Sequence, residues 1–181
     1  MMPAGADELR ARLTPELMAD IMRDNWHSHD ARWFLKASVE CGFDVANRLN
    51  KATIRSMART EMMRLLEAMQ CGEVRDMEDF ARIANIACEV YFPAGMFEGG
   101  TEALGKDAAR GIVRSCFVFE EVRRAGVTGV YECACGCRHE GWLAACGLDG
   151  KVEIVRSMMR GDPYCEVLAS SVGRKAGGAS L

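Results

Sequence analysis

The sequence predicts an α+β fold: an N-terminal helical half of three helices packed on a small antiparallel sheet that closes with a C-terminal hairpin. Three observations point there. Apolar residues recur at helical spacing through the first ninety residues. Near Tyr91 the pattern gives way to glycine and proline breakers and short β-branched runs. Gly161-Asp162-Pro163 then separates two alternating stretches, as a hairpin turn does. A chain of 181 residues without a long linker reads as one domain over 14–170, a helical part 14–90 and a mixed part 91–170. A frayed N-terminus (1–13) and a disordered tail (171–181) flank it.

Each element has a local cause. Thr14-Pro15-Glu16 starts the first helix: Thr14 as N-cap, Pro15 at the first helical position, Glu16 near the positive end of the dipole. This helix runs to Cys41, and Gly42 stops it. Met18, Met22, Trp26, His29, Trp33 and Ala37 form its apolar stripe. A second helix spans about Asp44 to Met69 and closes at Cys71-Gly72, and Asp76 caps a third through Phe80, Ile83, Ala84, Ala87 and Cys88. Phe92-Pro93-Ala94-Gly95 and Glu98-Gly99-Gly100 read as breaks. Arg110 to Val118 reads as a strand, Glu120 to Ala125 as a helical turn ended by Gly126, and Gly129 to Cys133 as a short extended piece. Glu140 to Cys146 is helical. Lys151 to Met158 and Tyr164 to Ala169 are the hairpin strands.

Composition narrows function by exclusion. Net charge is −3, from 23 basic and 26 acidic residues, so no bulk positive field is available for nucleic acid. No apolar run approaches the roughly 18 residues of a membrane span. The first twelve residues lack the apolar core of an export signal. The expectation is a cytoplasmic protein with neither a nucleic-acid nor a membrane partner. Nine cysteines and twelve methionines stand against thirteen aromatic residues. An odd number of thiols in a reducing compartment suggests a metal site, a reactive thiol or small core residues.

The densest chemistry lies in Cys133-Ala134-Cys135-Gly136-Cys137-Arg138-His139. Thiolates and imidazoles are zinc ligands, and thiolates hold iron–sulfur clusters. On a regular strand, residues i and i+2 lie about 6.6 Å apart, whereas tetrahedral zinc wants sulfurs roughly 3.8 Å apart. One ion therefore requires a loop, which Gly136 permits. Cys133, Cys135, Cys137 and Cys165 form the candidate metal set, with Cys146 as a further thiol. The alternative is reduced thiols around a small core.

A second cluster is Trp26-His27-Ser28-His29-Asp30-Ala31-Arg32-Trp33-Phe34. His29 shares a helix face with Trp26 and Trp33, so it could stack on or hydrogen-bond a ligand. His27 and His29 are about 200° apart around a helix and cannot ligate one ion. The alternative is a core histidine between core tryptophans. Cys116 with Glu120 and Glu121 resembles a nucleophile with its base, but acidic neighbours disfavour a thiolate.

Trp26, His29-Asp30, Trp33-Phe34, Gly42-Phe43, Ala46-Asn47, Leu49-Asn50, Glu61 and Arg64, followed by Arg114-Ser115-Cys116 and Glu120 to Gly126, resemble a family of short bacterial and archaeal cytosolic proteins of uncharacterised function. The resemblance covers about 15–170. The ending Gly161-Asp162-Pro163-Tyr164-Cys165-Glu166-Val167 is similar to the closing hairpin of L-2-amino-thiazoline-4-carboxylate hydrolase-like proteins. It also resembles the close of the four-vinyl-reductase type small-molecule-binding domain. Some members of the latter bind structural zinc, which implies Cys137 and Cys165 as outer ligands. Ser157 and Ile154 stand at the positions of that group's other cysteine and its glutamate, with Glu153 adjacent. The resemblance implies a small-molecule ligand in a pocket lined by Trp26 and Trp33. An enzymatic version would hydrolyse a cyclic C–N bond, with His29 as acid/base and Asp30 as its partner. The alternatives are a zinc or iron–sulfur sensor or metal-handling protein, and a homodimeric scaffold without a site.

Overall fold

The computed structural model describes residues 5–92 and 95–174. Helix α1 is Ala6–Arg10 and α2 is Pro15–Ala68. The α2 helix is two helices joined at Gly42, whose φ of 80° no other residue type adopts cheaply. Its start is the predicted one: the Thr14 hydroxyl accepts from the Leu17 amide at 3.2 Å. Its end differs from expectation. Gln70, not Gly72, takes the left-handed conformation at φ 49°. The Cys71 amide donates to the Leu66 carbonyl and the Gln70 amide to Glu67, both at 2.9 Å, a Schellman closure. Helix α3, Met77–Tyr91, has Asp76 accepting from the Glu78 and Asp79 amides.

The sheet contains β1 (Phe97–Ala103), β2 (Ala108–Cys116), β3 (Leu148–Arg156) and β4 (Cys165–Arg174) in the order β1-β2-β4-β3, antiparallel throughout. Strand β1 replaces the predicted break at Glu98-Gly99-Gly100. The register shifts between Glu98 and Gly99, and a Cβ on Gly99 would stand 2.8 Å from the Ile112 carbonyl. The glycines thus permit a bulged edge strand where the residue pattern suggested a loop. The Asn85 carboxamide of α3 completes that edge: it accepts from the Thr101 amide at 2.7 Å and donates to the Thr101 carbonyl at 2.8 Å.

Five further expectations are corrected. The strand expected to reach Val118 ends at Cys116, where α4 (Phe117–Arg124) begins. Residues 129–133 are not a strand; the Asn47 side chain supplies their ladder, donating to the Val130 carbonyl at 2.8 Å and accepting from the Glu132 amide at 3.0 Å. The last helix, α5, is Cys135–Ala145, so most of the cysteine cluster is helical. Residues 170–174 belong to β4, and 6–10 are helical instead of frayed. Residues 1–4, Pro93-Ala94 and the tail 175–181 lie outside the described residues.

The second half of α2 packs on α5, α5 packs on β3, and α3 packs on β1. The core holds Ala58, Met62 and Leu65 of α2, Met77, Phe80 and Ala84 of α3, and Trp142 and Leu143 of α5. The α2–α5 crossing is close because of Gly141, where a Cβ would lie 2.5 Å from the Arg55 carbonyl oxygen. Gly161, at φ 91°, and Asp162, accepting from the Ser157 amide at 2.8 Å, shape the β3–β4 connection as expected. A short 3-10 turn, Met158–Arg160, precedes them. Among the described residues no helix is long and apolar enough to cross a membrane.

Candidate functional site

The predicted face of α2 divides. Trp26 is 51% exposed and Trp33 45% exposed; His29 is exposed too, stacked on Trp26 with ring centroids 6.3 Å apart. Neither tryptophan is core. Together with Asn25, Arg32 and Lys36, His29 and Trp33 border an open recess of about 460 Å³ on the outer surface. Asp30 is instead half-buried, near the charges of Arg138, His27 and His29, and burial raises its pKa. The helix thus sends His29, the expected acid/base, outward and its expected partner Asp30 inward.

Inward, α2 meets α3 and α5 through residues that periodicity did not single out. Arg23 donates to the Glu89 and Val90 carbonyls at 3.2 and 3.3 Å, capping the end of α3. His27 Nε2 donates to the Tyr91 carbonyl at 2.9 Å, because a carbonyl can only accept. The His27 ring lies 4.3 Å from that of Phe117, and burial lowers its pKa. Further along, Arg138 of α5 pairs with Glu61 at 2.5 Å, both side chains nearly enclosed. Trp142 Nε1 donates to the same carboxylate oxygen at 3.3 Å, and the Tyr91 hydroxyl donates to the Glu61 carbonyl at 2.7 Å. The Arg138 guanidinium sits 5.2 Å from the Phe92 ring centroid and 6.0 Å from that of Trp142. Charge in an aromatic wall is costly unless paired, and here it is paired by residues 77 positions apart.

Beside this seam lie four thiols. The Cys135 thiol hydrogen-bonds the Cys133 sulfur, and Cys116 and Cys165 are electrostatic neighbours of both. That hydrogen bond, helped by the charges of Lys51 and Arg138, lowers the pKa of Cys133; Cys135, its donor, is raised. Cys165 is raised by burial and accepts from the Met158 amide at 3.3 Å. Burial pushes Cys116 up to about 11. The glutamates expected beside it are engaged elsewhere, Glu120 with Arg123 and Glu121 with Arg124. That geometry does not make Cys116 a nucleophile. Cys88 and Cys146 are core thiols, each pushed up to about 12 by burial.

The expected metal set is not assembled. Cys137 accepts from Arg55 at 3.3 Å instead of joining Cys133, Cys135 and Cys165. Among the described residues no group of three or more His, Cys, Asp or Glu side chains is placed to hold a metal ion. His139 also turns away: its Nδ1 bonds the Cys135 carbonyl at 2.9 Å, and its Nε2 is 3.2 Å from where a Cβ on Gly111 would lie.

Sequence reasoning missed Arg138 and His27 as site residues and valued Glu61 and Asn47 only through a resemblance. The available signal was their residue type: an arginine and a glutamate on otherwise apolar helix faces require partners.

No family model matches the chain, and no curated protein matches it. Among solved structures it is similar to a trafficking protein particle complex subunit 3 from Naegleria fowleri, covalently bound to palmitic acid. The TM-score is 0.53 and the identity 12%, over 90% of this chain and 99% of that one. It also matches a protein of the H-NOX family, solved in work on heme distortion, with a TM-score of 0.46 and 13% identity over 100% of this chain and 79% of that one. The first likeness is one of fold: helices on a small antiparallel sheet.

Proposed function

We propose that this chain binds a small carboxylic acid at the seam where α2, the 130–134 segment and α5 meet. The observation that carries this reading is Arg138, a cation enclosed by Phe92 and Trp142 and answered by Glu61, with His27 and Asp30 close by. Ionisable groups with shifted pKa values in an apolar wall are an arrangement that folding alone does not require. Two candidate ligands share the carboxylate. One is L-2-amino-thiazoline-4-carboxylate, from the resemblance of the closing hairpin. The other is free palmitate, taken from the palmitic acid that the trafficking-complex subunit of similar fold holds covalently. In an enzymatic version His27 replaces His29 as the acid/base, and Asp30, on the same side, stays its partner.

Titration with either acid, followed by Tm and tryptophan fluorescence, tests the reading. Binding should weaken about tenfold, near 1.4 kcal/mol, in the paired variant Arg138→Met/Glu61→Met, which removes both charges together. Absence of binding by both acids at millimolar concentration overturns it. A second reading, self-association, is favoured by Met18, Met22, Trp26 and Trp33, all exposed on one flank of α2. Light scattering that shows a monomer at high micromolar concentration would remove it.

A further inference from the structure

We propose that Cys133 and Cys135 are a redox-active dithiol that a low-molecular-weight disulfide converts to an intrachain disulfide. The proposal is independent of the carboxylate reading. It rests first on contact, since the Cys135 thiol already hydrogen-bonds the Cys133 sulfur. It rests second on backbone. Ala134, between them, has φ −98° and ψ 11°, a bend and not an extended conformation. The bend shortens the Cα–Cα span below the about 6.6 Å of extended chain, into the middle of the roughly 4.4–6.8 Å that disulfides bridge. Third, the side chains of Lys51 and Arg138, paired with Glu132 and Glu61, lie near Cys133. Both residues are partly exposed, and their sulfurs are largely enclosed.

The exchange balances without another reactant. The Cys133 thiolate attacks one sulfur of the incoming disulfide, breaking its S–S bond and releasing one thiolate. The Cys135 sulfur then attacks Cys133 in the mixed disulfide. A protein S–S bond forms, the second small thiol departs, and the Cys135 proton goes to the departing thiolates. The dithiol is oxidised and the small disulfide is reduced to two thiols. Cys137 cannot substitute, because its sulfur is held by Arg55 on another side of α5. The consequence is local: the bridge closes a small ring at the entry to α5, directly after the segment that Asn47 pins to α2.

The test uses the full chain with the exposed Cys41 and Cys71 changed to serine. After equilibration in reduced and oxidised glutathione, free thiols are alkylated and tryptic peptides weighed. The peptide 125–138 holds three cysteines. In oxidising buffer it should carry a single alkyl group and no glutathione. Cys135→Ser should stop at one glutathione on Cys133, and Cys133→Ser should leave Cys135 reduced. A peptide that keeps three alkyl groups in oxidising buffer overturns the proposal without any variant needing to fold. So does a bridge that joins it to Cys116 or Cys165.

Discussion

The two halves of α2 are helices of similar length with opposite fates. Residues 43–68 bury Ala46, Ile54, Ala58, Met62 and Leu65 against the rest of the protein. Residues 15–41 bury Phe34 and Ser38 but leave Leu17, Met18, Ile21, Met22, Trp26 and Trp33 exposed. The first half attaches by a few specific bonds, from Arg23 and His27 to the end of α3 and from Phe34 to the Tyr131 ring, 5.1 Å away. The difference teaches that an apolar stripe identifies a helix but not what covers it. It also locates the candidate site, because the ionisable groups gather where the loosely attached half meets the packed one.

Substitutions can break or sharpen this contrast. The largest effect is expected for Met62→Ala in the packed half, where the side chain is fully buried. It should cost about 2–5 kcal/mol in urea unfolding. Gly141→Ala should cost about 1–3 kcal/mol, because the new methyl meets the Arg55 carbonyl and the Ala58 methyl. A normal stability would mean that the two helices cross less closely. Asn47→Ala removes two bonds to the 130–132 segment and should cost about 1–3 kcal/mol. Faster amide exchange at Glu132 is the local sign to look for.

The pH dependence separates the junction from both halves. Burial lowers the His27 pKa, so the unfolded chain binds more protons and stability falls as pH drops through about 6.5. His27→Gln should flatten that fall. Part of the slope should remain, because burial lowers His139 in the same direction. Asp30, raised by burial, has the opposite sign: its contribution is lost as pH rises through its folded pKa. The comparison therefore belongs in an Asp30→Asn background. A slope that His27→Gln leaves unchanged in that background would place the histidine in water. The smallest effect is expected on the exposed flank, where Met22→Ala should shift stability by no more than about 0.5 kcal/mol. A larger loss that depends on protein concentration would show that a second copy covers this face.

What was legible in the sequence was local. Thr14 and Pro15, Gly42, Asp76, and Gly161 with Asp162 each act on backbone within a few residues, so their consequences could be read without a partner. The α+β class followed from those boundaries and from the change of period near Tyr91. Tertiary structure decided the rest. Strand β1 exists because β2 and Asn85 satisfy its backbone, and residues 129–133 need no strand because Asn47 does the same for them. The thiols were visible as a cluster, but only the bend at Ala134 joins Cys133 to Cys135, and only the position of Arg55 withdraws Cys137. His27 became an inward group and His29 an outward one because α3 and α5 lie on one side of α2. Helical period sets the angle between two side chains; the free energy of burying one of them depends on what stands opposite, and residues 77 apart in the chain met only on folding.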